Sequence, residues 1–155
     1  MPLALKAYKI HGGCNFYNNW KNIADKLQST LRDEFKGALA VYVGEGDYVG
    51  NHFLKILPQS NEVLERYVKG ELREYTFQFI YYFTDANVRE SALMQIFRIL
   101  SRIESTMANN RSFTLTDSTD IVNGRLDGYE IIEGDEGAEY LAEMDYKCMH
   151  LGNLS

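Results

Sequence analysis

The side chains able to bind a metal or drive a reaction are few and badly spaced. His11-x-x-Cys14 near the start and Cys148-x-His150 near the end carry the nitrogen and sulfur ligands of a structural zinc site. Ligand pairs that close such a site usually hold about two to four residues between them, whereas Cys148 and His150 hold a single one. Cys148 therefore reads as a small core residue, and His52 as an exposed loop residue. Carboxylates crowd the last third, at Asp117, Asp120, Asp127, Glu130, Glu133, Asp135, Glu136, Glu139, Glu143 and Asp145. A pair of them could serve acid–base or metal chemistry, but none sits in a recognisable motif. The DxxDxxNG at Asp117 to Gly124 lacks the alternating ligands and terminal Glu of a calcium loop, so a solvated acidic face is the simpler reading. Gly44-Glu45-Gly46 and Gly50 approach a phosphate-binding loop, but Glu45 and Asp47 would repel a phosphate and no helix start follows. No serine stands in a nucleophile elbow. These readings lead to no catalytic residue, no metal and no cofactor.

Composition bounds what remains. A chain of 155 residues has the size of one domain, and such a domain buries roughly 70% of its unfolded surface. With 45% hydrophobic and 25% charged residues and only 2 Pro, it should fold and not stay disordered. The 11 Tyr, 8 Phe and 1 Trp favour strands and partner contacts. The net charge of −6 opposes a phosphate-neutralising surface. It is concentrated: residues 1–108 carry 13 Lys/Arg against 12 Asp/Glu, and residues 109–155 carry 3 against 10. Without an apolar run of about 20 residues or a secretory h-region, the expectation is an intracellular protein with reduced thiols and no membrane contact.

The elements follow from periodicity. Phe16, Trp20, Ile23, Leu27 and Leu31 form the stripe of a helix over residues 17–33, capped by Asn18 or Asn19 and stopped at Gly37. Strands are expected at 38–43 and at 53–57, the latter closed by Pro58; 59–70 fits either a short helix capped by Asn61 and running through Tyr67 or, the preferred reading, an extended arm. Residues 72–84 alternate with period two, placing Tyr75, Phe77, Phe79, Tyr81 and Phe83 on one face. A second helix, capped by Asp85 or Asn87, runs to Met107 with Val88, Ala92, Ile96, Ile99 and Ile103 inward. Strands at 112–116, 121–133 and 138–150 complete the chain, with Gly134 to Gly137 as the final hairpin turn. The expected fold is one α+β domain, an antiparallel sheet in one layer or two with two amphipathic helices, after a flexible arm at residues 1–15. Ile80, Tyr82, Leu126 and Leu141 suggest a second apolar face that a further sheet or a partner must cover.

The runs GALAVYVGEGDYVGNHFLKILPQS, RYVKGELREYTFQFIYYF and NGRLDGYEIIEGDEGAEYLAEMDYKCMH, separated by the long helix, resemble the tail terminator, or tail-completion, proteins of tailed bacteriophages over residues 17–150. The resemblance implies a virion protein that assembles in the bacterial cytoplasm into a ring, in all expectation a hexamer. The ring would cap the tail tube protein, dock the head–tail connector and let DNA pass without binding it specifically. Tyr48, Arg66, Tyr67, Arg73, Tyr75, Tyr81 and Tyr82 are the candidate contacts with neighbouring subunits or partners. In a ring, Glu133, Asp135, Glu136 and Glu139 would line the channel and keep DNA from sticking. The alternatives are another neck or minor capsid component, a terminator of a phage-derived contractile particle, or a small ligand-binding or enzymatic domain using the acidic cluster.

Overall fold

A computed structural model describes residues 19–46, 52–84, 89–133 and 139–153. The N-terminal arm with His11 and Cys14, the caps Asn18, Asp85 and Asn87, Tyr48, and the turn carrying Asp135 and Glu136 lie outside the described residues. The elements run α1 (Asn19–Phe35), β1 (Ala40–Val43), β2 (His52–Tyr67), β3 (Gly70–Thr84), α2 (Arg89–Asn109), β4 (Phe113–Thr114), β5 (Asp120–Glu133) and β6 (Glu139–Asn153). The described residues form a single six-stranded sheet in the order β1-β2-β3-β6-β5-β4, so the α+β expectation holds with one layer of sheet.

Helix α1 ends where Lys36 and Gly37 turn left-handed, at φ 47° and 94°, and Lys36 N–H still donates to the Arg32 carbonyl at 2.7 Å. Glycine accepts that conformation without a Cβ penalty, which is why the expected stop at Gly37 holds. Ile23, Leu27, Leu31 and Phe35 of α1 join Ile96, Ile99, Ile103 and Met107 of α2 in one core with Tyr75, Phe77, Phe79, Tyr81 and Phe83 of β3. Both helices therefore cover the same face of the sheet. Trp20 packs edge-on to Tyr75 and Phe77, with ring centroids 5.0 and 5.1 Å away, a favoured aromatic geometry.

The structure corrects the sequence reading at several points. β1 and β2 pair in parallel, Ala40 opposite Phe53 and Val43 opposite Ile56, whereas hairpin spacing had suggested antiparallel neighbours throughout. β1 is only four residues long, so a short connection is enough to bring the chain back level with its start. Pro58 does not end a strand: β2 continues to Tyr67 through register shifts at Pro58/Ser60 and Val63/Glu65. β1 reaches only to Ile56, so Pro58 stands on a strand edge where its missing N–H interrupts no ladder. Leu126 leaves the outer face because the irregularity at Leu126/Gly128 sets it opposite Tyr146, packed on the core. The strand expected over 112–116 shrinks to the two residues of β4.

At the other irregularity in β5, Gly124 gives its N–H to the Arg111 carbonyl at 2.8 Å. A Cβ there would stand 2.4 Å from the Tyr146 hydroxyl and 3.2 Å from the Arg111 carbonyl oxygen. That hydroxyl is buried with no hydrogen-bond partner among the described residues; the Cys148 thiol beside it is only a weak one. Gly124→Ala is expected to cost about 1–3 kcal/mol by overpacking. Tyr146→Phe should be nearly neutral and should remove about 1 kcal/mol of that cost when combined with Gly124→Ala. A urea double-mutant cycle with no coupling would show that the hydroxyl is not what Gly124 makes room for.

Candidate functional site

Chemistry-bearing side chains converge in the interior where α1 begins. Asn19 opens the helix, but its side chain turns to His150, with Nδ2 3.2 Å from Nδ1, instead of capping. His150, fully buried on β6, reaches Thr119 with Nε2 2.7 Å from Oγ1. Thr119 meets the Asp117 carboxylate through both its hydroxyl and its backbone N–H, the latter at 2.9 Å. Directions follow from chemistry. A carboxylate only accepts, so the Thr119 hydroxyl donates to Asp117 and must accept from Nε2–H; Nδ1 is then the bare nitrogen and accepts from Asn19.

Burial pulls the His150 pKa below its ordinary value, and the nearby Asp117 charge only partly offsets this. Burial would raise the Asp117 carboxyl, but its hydrogen bonds from Thr119 and the His150 charge outweigh that and hold it low. In a nucleophilic triad the hydroxyl would give its proton to the imidazole. Here the proton points the other way, and the imidazole is out of solvent. The chain Asn19–His150–Thr119–Asp117 ties the start of α1 to β6 and the β4–β5 turn.

Cys148, also fully buried, has its thiol pushed up to about 12 by burial, which makes it inert. Among the described residues no three His, Cys, Asp or Glu side chains gather around a metal position. His52 is not a solitary exposed residue: it opens β2, stands edge-on to Tyr81 and Phe83, and its pKa is lowered by burial.

The candidate contact residues separate into two groups. Tyr75 and Tyr81 are only 2% and 1% exposed, so in this fold they pack the core and offer no surface. Arg73 is held within the chain, with Nε donating to Glu71 at 2.7 Å and a terminal nitrogen to Asn61 at 2.7 Å. Tyr82 lies on the helix-free face, stacked on Phe53 at 5.0 Å. Arg66 and Tyr67 are exposed near the β2–β3 turn, where the Tyr67 hydroxyl donates to Glu65. Glu133 and Glu139 are exposed on either side of the last turn.

Register also reveals groupings that the linear sequence hides. Phe53, Tyr82, Leu141 and Ile132 lie side by side across β2, β3, β6 and β5 on the helix-free face. Beside them Glu130 faces Glu143, with Asp145 next along β6. Like charges directly opposite oppose pairing, so this acidic band works against the β5–β6 ladder. Farther along, Arg125 stands opposite Lys147, and carboxylates balance the two cations: Glu74 lies 3.2 Å from Arg125, and Asp127 lies 3.1 Å from Arg125 and 3.8 Å from Lys147. Leu64, Tyr67, Val68 and Leu151 leave the far end of β2, β3 and β6 apolar. Period two showed two faces in each strand, but only the bulges decide which residues meet across strands.

Among the described residues no helix is long and apolar enough to cross a membrane. No protein-family model matches the sequence, and no curated protein matches it. Among solved structures, the chain is similar in fold to a chain of a structure described as the virion of a native gene transfer agent particle. The likeness has a TM-score of 0.55 at 8% identity and covers 79% of this chain and 84% of that one.

Proposed function

We propose that this chain is a structural protein of a phage-like virion, and within it the tail terminator: a ring that caps the tail tube and joins it to the head connector. The observation that carries the reading is the fold shared with a virion chain over 79% of this sequence. Three further features agree with it. The polar constellation around His150 is a buried structural tie. The sheet face opposite the helices carries an apolar row that suits a partner. The same face carries Glu130, Glu143 and Asp145, and Glu133 and Glu139 are exposed nearby, an acidic surface that suits a channel through which DNA slides.

The test is assembly. Purified protein added to growing tail tubes should halt them and appear as a ring at one end in negative-stain electron microscopy. Tubes that grow on with bare ends would sink the terminator assignment. Neutralising Glu133, Asp135, Glu136 and Glu139 to Gln or Asn should leave rings intact and lower the yield of DNA-delivering particles. Unchanged delivery would remove these residues from the channel.

A further inference from the structure

The chain's only Asn-Gly pair, Asn123–Gly124, sits in the first irregularity of β5. Val122 lies opposite Met149 and Arg125 opposite Lys147, so Asn123 and Gly124 together face the single residue Cys148. This is a bulge whose first residue is left-handed, with Asn123 at φ 56°. Asparagine and aspartate are among the few residues with a side chain that enter this region readily. At the next position a Cβ would meet the Tyr146 hydroxyl and the Arg111 carbonyl, so only glycine fits. The fold therefore asks for Gly, Asn or Asp followed by Gly. Of these pairs Asn-Gly is chemically the most labile: asparagine is a thermolabile residue, and glycine has no side chain to keep its own nitrogen from the asparagine amide.

We propose that Asn123–Gly124 is a site of self-modification that the closed fold holds shut. The Gly124 nitrogen, on losing its proton, bonds to the side-chain carbonyl carbon of Asn123, and ammonia leaves as a cyclic imide forms. Water then opens the imide at either carbonyl, giving aspartate or isoaspartate. The net change is water taken up and ammonia released, so no other reactant is required. In the native protein the attacking nitrogen is engaged: Gly124 N–H donates to the Arg111 carbonyl at 2.8 Å, and Gly124 is buried although Asn123 is exposed. The Arg125 guanidinium donates to the Asn123 backbone carbonyl at 3.1 Å and holds the bulge from its other side. The reaction therefore runs from molecules in which the start of β5 has come away from Arg111, by local opening. The isoaspartate product carries an extra main-chain carbon, which displaces Gly124 from Arg111 or breaks the register of β5 on β6. Asp127–Gly128 is the comparison within the same strand. Its carboxylate is paired with Arg125 at 3.1 Å and Lys147 at 3.8 Å and has no ammonia to lose, a poor start for the same ring.

The test incubates the full chain at mildly alkaline pH in water carrying heavy oxygen, native and unfolded in guanidinium chloride. Mass spectrometry reads the label at residue 123, and enzymatic methylation counts isoaspartate. The unfolded chain should convert at Asn123, and the native protein should convert about tenfold more slowly or slower still. Guanidinium below the unfolding transition should speed conversion in step with hydrogen exchange at the Gly124 amide. Asn123→Gly keeps a residue at ease in the left-handed region, so it should fold and lose both the label and the methyl acceptance. Four results overturn the proposal: native protein that converts as fast as the unfolded chain, an unfolded chain that does not convert, conversion while the Gly124 amide stays protected from exchange, or label and methyl acceptance that persist at the wild-type rate in Asn123→Gly and so place the reaction at Asp127.

Discussion

Phe79→Ala is expected to destabilise the domain by about 3–5 kcal/mol, the largest effect of any single truncation considered for this protein. Phe79 lies at the centre of β3, fully buried, with its ring stacked on Tyr146 of β6 at a centroid distance of 5.3 Å and an interplanar angle of 8°. The neighbouring chains come from rigid strands and from both helices, so the cavity can close only in part. A loss of that size is a large share of the roughly 5–15 kcal/mol that holds a typical domain together. Urea unfolding should show the midpoint falling with the slope unchanged. A loss below about 1 kcal/mol, closer to the cost of a surface change, would mean that the sheet–helix interface is looser than its burial indicates.

His150→Leu should cost about 2–3 kcal/mol, because it strands the Asn19 amide and the inward side of Thr119 without partners. Its pH signature separates it from simple repacking. Burial lowers the pKa of both His150 and His52 below the ordinary 6.5. Between the depressed folded value and 6.5 the unfolded chain binds more protons, so stability falls as pH drops through that window and is flat above it. The slope is at most about 1.4 kcal/mol per pH unit for each buried histidine. In His150→Leu the slope should shrink to the share of half-buried His52. Asp117, held low in the folded state, adds its loss only at more acid pH, weakened by its exposure. Unfolding measured at pH 7.5, 6 and 5 tests this; an unchanged slope in the variant would show that His150 does not titrate with folding.

Much of the fold was legible before any coordinates. The stripes of both helices and the inward face of β3 depend on periods of 3.6 and two, which are local properties, and Ile23, Leu27, Ile96, Phe77 and Tyr81 lie where those periods place them. The extended reading of residues 59–70 holds for Gln59 to Tyr67, the second half of β2, and stops at the turn of Val68 and Lys69. What failed was non-local. Nothing near Tyr75 or Tyr81 distinguishes an aromatic that meets a partner from one that meets α1. Nothing near Ala40 announces a parallel neighbour, and nothing near Leu126 tells how the bulge rotates it inward. The His150 tie joins residues 19, 117, 119 and 150, which no spacing rule could bring together.

β6, the last strand among the described residues, does not sit at the edge of the sheet but between β3 and β5. While the chain is being synthesised, the β2–β3 hairpin can zip up from its turn, but β5 has no long partner until β6 has emerged. Completing the sheet then means threading one strand between two waiting ones, a late step built on contacts distant in sequence. A ribosome stalled after β5 would carry exposed strand edges on both sides of the gap, a form prone to aggregate. The same order governs β5: until β6 supports it, the short β4 is its one ladder partner among the described residues.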